Sequence, residues 1–310
     1  MVTPTLTSTL ATSLGAARDA ASAQVYPPGT LYVVATPIGN LADISLRALW
    51  VLHMVDAVAC EDTRHTQSLL RAYGIERSNA QLLALHQHNE AQAAQTVVER
   101  LQQGERIAYV SDAGTPGVSD PGARLVAAVQ AAGLRTVPLP GASSVTAALS
   151  VAGITAAHDW ETQGFVFAGF LPNKTQERAA AVAQISAQAR AVVLLEAPHR
   201  IDELAQALAV LGPRAVTVAR EITKQFEQVA TMPAQDLSAW LAQDPNRSRG
   251  EFALVVHPAT VQADSGEGER VLKLLLAELP LKTAVRIAAE ISGEPKNALY
   301  DLALTLKNQG

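Results

Sequence analysis

The chain has a single cysteine, Cys60, in 310 residues. No disulfide can close within it and no cysteine-built zinc site can form, a composition suited to a reducing cytosol. Aromatic residues make up only 4%, too few to lay stacking platforms along a nucleic-acid strand. Basic charge is not in excess: 24 Lys and Arg face 29 Asp and Glu, for a net charge of −5. That excludes a protein that coats nucleic acid by bulk charge, although a local basic patch stays open. No apolar run reaches the length of a bilayer crossing. Residues Met1–Gln24 lack the basic start and continuous apolar stretch of a secretory signal, and Arg18 alone is too little for a transit peptide. A cytoplasmic location is expected, and composition by itself favours an enzyme of small molecules.

What is present is enough for two cores and an appendage, with 48% hydrophobic and 17% charged residues. From Thr30 onward, short β-branched runs alternate with longer Ala/Leu-rich ones. Strands are predicted at Leu31–Thr36, Ala57–Cys60, Leu82–Leu85, Arg106–Val110 and Thr136–Leu139, with helices at Ser45–His53, Ala91–Gln103 and Ala123–Ala132 between them. This alternation indicates a mostly parallel sheet covered by helices. The pattern relaxes at Gly153–Gly164, where His158, Asp159, Glu161 and Gln163 cluster. A second set of strands then follows: Gly164–Gly169, Ala191–Glu196, Ala215–Arg220, Glu227–Thr231 and Glu251–His257, with helices at Gln176–Gln188, Arg200–Leu211 and Ala234–Ala242, and a mixed sheet is expected. After a polar gap, Gln262–Glu269, the tail is all helical; Gly293 stops one helix and Pro295 restarts the next. The expected division is a flexible tail over 1–28, α/β domains over 29–154 and 155–260, and a helical domain over 268–310.

The densest motif is Ser111-Asp112-Ala113-Gly114-Thr115-Pro116-Gly117-Val118-Ser119-Asp120-Pro121-Gly122. It leaves a strand end and enters a helix, the place where open α/β sheets bind ligands. Its glycines permit close backbone approach, its prolines stiffen it, and Asp120 with Pro121 reads as a helix start. The Asp112 carboxylate suits a ribose or a cationic group; an elaborate turn is the plainer alternative. In Pro138-Leu139-Pro140-Gly141-Ala142-Ser143-Ser144, free amides at a helix start favour a carboxylate, and an ordinary capped helix fits as well. Neither loop matches G-x-G-x-x-G or G-x-x-x-x-G-K-[ST], which disfavours dinucleotide and P-loop sites.

Three further polar loops follow strands of the first set: Thr36-Pro37-Ile38-Gly39-Asn40, Cys60-Glu61-Asp62-Thr63-Arg64-His65 and His86-Gln87-His88-Asn89-Glu90. On a parallel sheet all lie along one edge, above one cleft. Glu61-Asp62 can equally be a helix cap, and the two histidines lack the partners of a metal site, so no metal is expected. In the second half, Lys174, His199, Arg200, Arg220 and Lys224 follow strand ends where they can face the first domain and guide phosphates. Lys282, Arg286, Lys296 and Lys307 decorate the helical tail.

Taken in order, LYVVATPIGNLADISLRAL, EDTRHT, HQHNE, SDAGTPGVSDPG, PLPGASS, FAGFLP, LLEAPHRI, AREITKQFE and GEFALVV resemble the ribosomal small-subunit RNA 2′-O-methyltransferase branch of the tetrapyrrole methylase superfamily. The runs cover nearly all of Leu31–Val256, and the C-terminal helix pair is similar too. The resemblance implies two α/β domains of the class III methyltransferase type, a C-terminal helical extension, and a homodimer. It also implies S-adenosylmethionine as cofactor and methylation of a decoding-site cytidine ribose in 16S RNA of the small ribosomal subunit. The implied cofactor site is Asp112, Ala113, Gly114 and Thr115, then Ser143, Ser144 and Val145, with Phe170, Leu171 and Ala197; Pro37 and Gly39 are counted with it. Candidate bases for the hydroxyl proton are Glu61, His86 and Glu90 in the first domain and Lys174 or Glu196 in the second. Candidate RNA contacts are Arg64, His199, Arg200, Lys224, Lys282, Arg286 and Lys296. Two rivals are a tetrapyrrole methylase, favoured by the acidic net charge, and a catalytically silent ribosome-binding module.

Overall fold

The computed structural model describes residues 6–86, 89–118, 120, 122–154, 163–259, 265–293 and 295–308. The cluster His158, Asp159 and Glu161, taken as a domain boundary, therefore lies outside the described residues, as do Gln87, His88, Ser119 and Pro121. The first correction concerns the segment read as a flexible tail. Leu6–Ser22 forms helix α1. Its five alanines and three leucines favour a helix, against the weaker propensity of its Ser and Thr residues. The end of α1 is tied down, with Ala21 only 5% exposed and its carbonyl accepting from the Tyr26 hydroxyl at 2.7 Å.

Five strands make the first sheet: β1 (Thr30–Val34), β2 (Ala57–Cys60), β3 (Leu82–Ala84), β4 (Arg106–Val110) and β5 (Arg135–Leu139). Their order is β3-β2-β4-β1-β5 and every pairing is parallel. Every residue of β2 is buried, as both-face coverage requires. Helices α2 (Leu46–Met54) and α3 (Thr63–Ala72) cover one face, packing Val51, Leu52 and Leu70 on Tyr32, Val58 and Ala108. Helices α4 (Glu90–Gln102) and α5 (Gly122–Ala131) cover the other, packing Val97, Leu101, Leu125 and Val129 on Leu31, Ala59 and Ile107. Strands β1 and β4 are neighbours whose following helices leave to opposite faces. That is a topological switch point, and a crevice opens above it.

Helix α6 (Ser144–Val151) follows β5 but packs on the second sheet. That sheet comprises β6 (Phe165–Gly169), β7 (Ala191–Glu196), β8 (Ala215–Arg220), β9 (Gln228–Pro233) and β10 (Phe252–Val256) in the order β6-β7-β10-β8-β9. It is mixed: β6 and β7 run parallel, and the other pairings are antiparallel. On one face lie α7 (Thr175–Ser186), α8 (Ile201–Leu208) and α9 (Leu237–Ala242), with Val182, Leu204, Leu208 and Leu237 over Leu194, Val216 and Leu254. Against the other face, Val145, Ala148 and Ala152 meet Ala191, Val193, Ala219 and Val255. These small side chains bring α6 close to the sheet, so the lobes share a core rather than only a linker. The single helix predicted over Arg200–Leu211 is α8 with a 3-10 turn at each end.

The tail consists of α10 (Ser265–Leu276), α11 (Leu281–Ser292) and α12 (Lys296–Asn308). Helix α10 begins inside the predicted polar gap, because the chain supplies an apolar stripe from Val271 and Leu272. These two pack with Ala284, Val285, Ala288, Leu299 and Ala303 into a core of their own. Gly293 ends α11 in the left-handed conformation at φ 69°, its N–H donating to the Ala289 carbonyl at 3.0 Å.

Candidate active site

The long loop after β4 is fastened to its neighbours by hydrogen bonds. Thr36 and Gly114 exchange backbone bonds of 2.9 and 3.1 Å, the Thr36 hydroxyl donates to the Ser111 carbonyl at 3.2 Å, and the Thr115 hydroxyl donates to the Ala142 carbonyl at 3.0 Å. The loops after β1, β4 and β5 are thereby held as one surface. Gly114 needs its φ of +82°, and a β-carbon there would sit 3.2 Å from Ile38. Asp120 organises the far end of the loop: Oδ2 accepts from the Gly117 N–H at 2.6 Å, and Oδ1 from the Gly122 N–H at 2.8 Å and the Tyr109 hydroxyl at 2.7 Å. Burial and that bond push the Tyr109 hydroxyl far above its ordinary range. A β-carbon at Gly122 would drive into the Tyr109 ring. Gly122→Ala is therefore expected to destabilise the protein by ~1–3 kcal/mol, seen as a lowered midpoint in thermal unfolding, and an unchanged midpoint would refute this packing.

Two adjoining hollows open at these loops, sharing Ala113, Ser144 and Leu195 in their walls. The first, about 220 Å³, is lined by Glu61, Asp112, Asp120, Gly114, Thr115, Ser143 and Val145 among others. Three carboxylates and no cation line it, which suits a positively charged ligand and repels phosphate. Burial first, then the neighbouring Asp112 and Asp120 charges, raise the Glu61 carboxyl above its ordinary value, partly offset by the Asp112 backbone N–H. The start of α6 also faces this hollow, and Ser143, its cap position, makes no side-chain cap bond. Helix-start amides there are placed to meet a carboxylate.

The second hollow, about 380 Å³, is more apolar: Ile38, Phe170, Ala197, Pro198, Ala219, Ile222 and Phe252 line it with Glu196 and Glu251. Its rim is set by a buried ion pair. Glu196, 3% exposed, accepts from the Ala197 N–H at 2.9 Å and faces the Arg200 guanidinium at 3.3 Å, while Arg200 donates to the Leu171 carbonyl at 2.5 Å. The loops after β6 and β7 are thus locked to each other.

The structure gathers Asp112, Ala113, Gly114, Thr115, Ser143, Ser144, Val145, Phe170, Ala197, Glu61 and Glu196 around these hollows. It does not gather the rest. Pro37 is buried within the loop after β1 and Leu171 belongs to the α7–α8 core. Among the candidate bases, three fall elsewhere. His86 is exposed, Lys174 pairs with Glu177 at 2.9 Å, and Glu90 is buried with Oε2 on Arg124 at 2.9 Å. The EDTRHT motif serves both of its readings. Asp62 caps α3 through the Arg64 N–H at 2.8 Å, while its own N–H donates to Asp112 at 3.3 Å. Burial pushes the adjacent Cys60 thiol up to about 11, so it stays neutral. Leu195, Ala219, Ile222, Glu251 and Phe252 were not singled out by sequence. They sit on or beside strands whose inner face is fixed only when the lobes meet.

Several cations expected to meet RNA are already engaged: Arg200 as above, Lys224 with Glu221 and Glu251 at 2.8 and 3.1 Å, and Arg286 with Glu290 at 2.9 Å. The Arg64 side chain is 92% exposed at the start of α3, 3.7 Å from Asp62. His199, Lys282 and Lys296 are exposed. Among the described residues no cluster of three or more His, Cys, Asp or Glu is placed to hold a metal ion, and no helix is long and apolar enough to cross a membrane.

Two α/β lobes, a parallel sheet with its crevice and a mixed sheet facing it, define a methyltransferase of the tetrapyrrole methylase fold. The family model described as Tetrapyrrole (Corrin/Porphyrin) Methylases matches residues 30–238, and that of the RsmI C-terminal HTH domain matches residues 262–307. The chain belongs to the ribosomal RNA small subunit methyltransferase I family, within the tetrapyrrole methylases. It is 49% identical over 280 residues to the ribosomal RNA small subunit methyltransferase I of Escherichia coli O157:H7, covering 89% of this chain and 95% of that one. The protein of the same name from Neisseria meningitidis serogroup B is 48% identical over 285 residues, covering 91% and 95%. The fold is shared with a cobalt precorrin-4 methyltransferase of cobalamin biosynthesis, with a TM-score of 0.54 at 17% identity over 75% of this chain and 98% of that one. It is also shared with a diphthine synthase, with a TM-score of 0.55 at 14% identity over 74% and 90%.

Proposed function

We propose that the chain transfers a methyl group from S-adenosylmethionine to the ribose 2′-hydroxyl of a decoding-site cytidine in 16S RNA of the small ribosomal subunit. It does so in the cytoplasm, as a homodimer. The observation that carries this reading is the paired cleft: a carboxylate-lined hollow beside an apolar one, above the switch point of the parallel sheet, in a chain half identical to proteins named as small-subunit RNA methyltransferases. The donor's chemistry fits those walls. It supplies an electrophilic methyl group on a sulfonium that leaves as a neutral thioether.

The chain's own residues then have three tasks. Asp112, Glu61 and Asp120 attract the positive charge, and the free amides at the start of α6 meet the donor's carboxylate. The linked loops hold the reacting groups in line, which is where most of the acceleration arises. In this reading the hydroxyl proton passes to Glu61 or Glu196, the two candidate bases that line the hollows. RNA phosphates are repelled by the acidic walls, so they are held from the rim and the tail by Arg64, His199, Lys282 and Lys296.

The direct test is labelled methyl transfer to unmodified small subunits, to free 16S RNA and to a porphyrinogen, with the methylated position mapped by mass. Transfer to the porphyrinogen alone, or to an RNA base, would overturn the reading. A second expectation concerns pH. Because Glu61 titrates above its ordinary range, donor affinity should rise as pH increases through that raised range, and Glu61→Gln should flatten the profile. For stability the sign is reversed. A raised carboxyl contributes stability at low pH that is lost as pH climbs through its folded value. Glu61→Gln should therefore raise the thermal midpoint near neutral pH by a few degrees, roughly 1–3 °C, and by less near pH 4. Calorimetry and thermal scans at both pH values check these two signs.

A further inference from the structure

The turn between β8 and β9 holds two non-glycine residues in the left-handed region, Glu221 at φ 51° and Thr223 at φ 71°. Side chains disfavour that region, and it persists only where the surroundings impose it. Here they do. Glu221 Oε1 accepts from the Glu251 N–H at 2.9 Å and from Lys224 Nζ at 2.8 Å, and the Thr223 N–H donates to Glu227 Oε2 at 2.6 Å. Gly250 leaves the room that the Glu221 side chain fills.

The strained turn achieves two placements. Ile222, between the two left-handed residues, lines the apolar hollow. Lys224 is sent back across the cleft, where its stem fills the space beside Gly39 that a β-carbon would take. Gly39 belongs to the loop after β1, in the other lobe, and its neighbour Ile38 lines the same hollow. The Lys224 ammonium ends between Glu221 and Glu251, the latter at 3.1 Å. Burial works against its charge, but the two carboxylates more than offset this and raise Lys224 above the ordinary lysine range. It is therefore a fixed cation, neither a base nor a free partner for phosphate.

We propose that Lys224 is a positioning residue that clasps the β8–β9 turn of the second lobe to the Thr36–Asn40 loop of the first. The clasp fixes the gap across which the methyl group passes. The inference rests on reading the cleft as the methyl-transfer site. Without the ammonium, the turn loses one of the two partners that hold Glu221 in its unfavourable conformation, and the stem no longer has a fixed end over Gly39.

The test is Lys224→Met in the full-length chain, which keeps most of the stem and removes the charge. Single-turnover transfer at saturating S-adenosylmethionine and saturating small subunits should fall ~10–100-fold, since misplacement by about 1 Å has effects of that size. Donor Kd should change less than about threefold, and the thermal midpoint by less than about 3 °C. Gly39→Ala, which puts a β-carbon against the stem, should slow the same step. An unchanged rate overturns the clasp. So does a loss that saturating subunits restore together with a shallower salt dependence, because that marks a phosphate contact. A drop in midpoint large enough for unfolding to account for the rate overturns it as well. A wild-type chain that neither binds the donor nor transfers a methyl group sinks the reading of the cleft, and the clasp with it.

Discussion

Asp112→Ala is expected to weaken S-adenosylmethionine binding ~10–100-fold in calorimetry, while leaving the thermal midpoint close to the parent's. The carboxylate stands at the end of β4, exposed, in the hollow that the switch point opens. Among the described residues its side chain is tied to the fold by the 3.3 Å bond it accepts from the Asp62 N–H, and Asp62 keeps its own capping bonds to α3 without it. The side chain therefore contributes little to stability and is free to serve a ligand. A charged hydrogen bond to a ligand is worth about 1.5–3 kcal/mol, which sets the size of the loss. Asp112→Asn should fall between, because it keeps an acceptor and removes the charge. Full affinity in Asp112→Ala would show that the donor sits elsewhere.

Deleting 265–310 is expected to reduce methylation of small subunits by more than about 100-fold, while donor Kd stays within about twofold. The physical ground is the separate core: Leu272, Val285, Ala288, Leu299 and Ala303 pack among themselves. The lobes keep their own hydrophobic clusters, and among the described residues none of the tail lines either hollow. The exposed Lys282 and Lys296 are then lost together. Gel-shift or filter binding of subunits, paired with calorimetry of the donor, separates the two effects. Undiminished methylation would mark the tail as a structural cap alone.

The fold was largely readable because the apolar periods are clean. Runs such as Ala57–Cys60 and Ala191–Glu196 are strands at the predicted bounds, being short, almost wholly apolar and bounded by polar loops. The Leu281–Ser292 stripe with Gly293 behind it is a helix with a left-handed stop. The glycine-rich loops announced the first hollow, since dense glycine and proline between strand and helix have a local geometric cause. The sequence misled where local composition and tertiary context part. The alanine-rich start, which lacks a broad apolar stripe, forms α1, docked at Ala21. His86 and Lys174 stand beside the right motifs but do not line the hollows, because position after a strand says nothing about side-chain direction.

What the chain's order of residues determined by itself was local: where strands and helices run, which loops need glycine, and that no disulfide can brace them. Periodicity, capping and backbone freedom act over a few residues, so one sequence suffices to read them. Only the tertiary structure decided which charges meet. It set Lys224 against Glu251 and brought Leu195 and Phe252 to the same cleft as Asp112. Glu251 lies 27 residues from Lys224, and Leu195 and Phe252 are remote in sequence from Asp112; contacts at such range depend on the packing of two lobes, which no local pattern encodes.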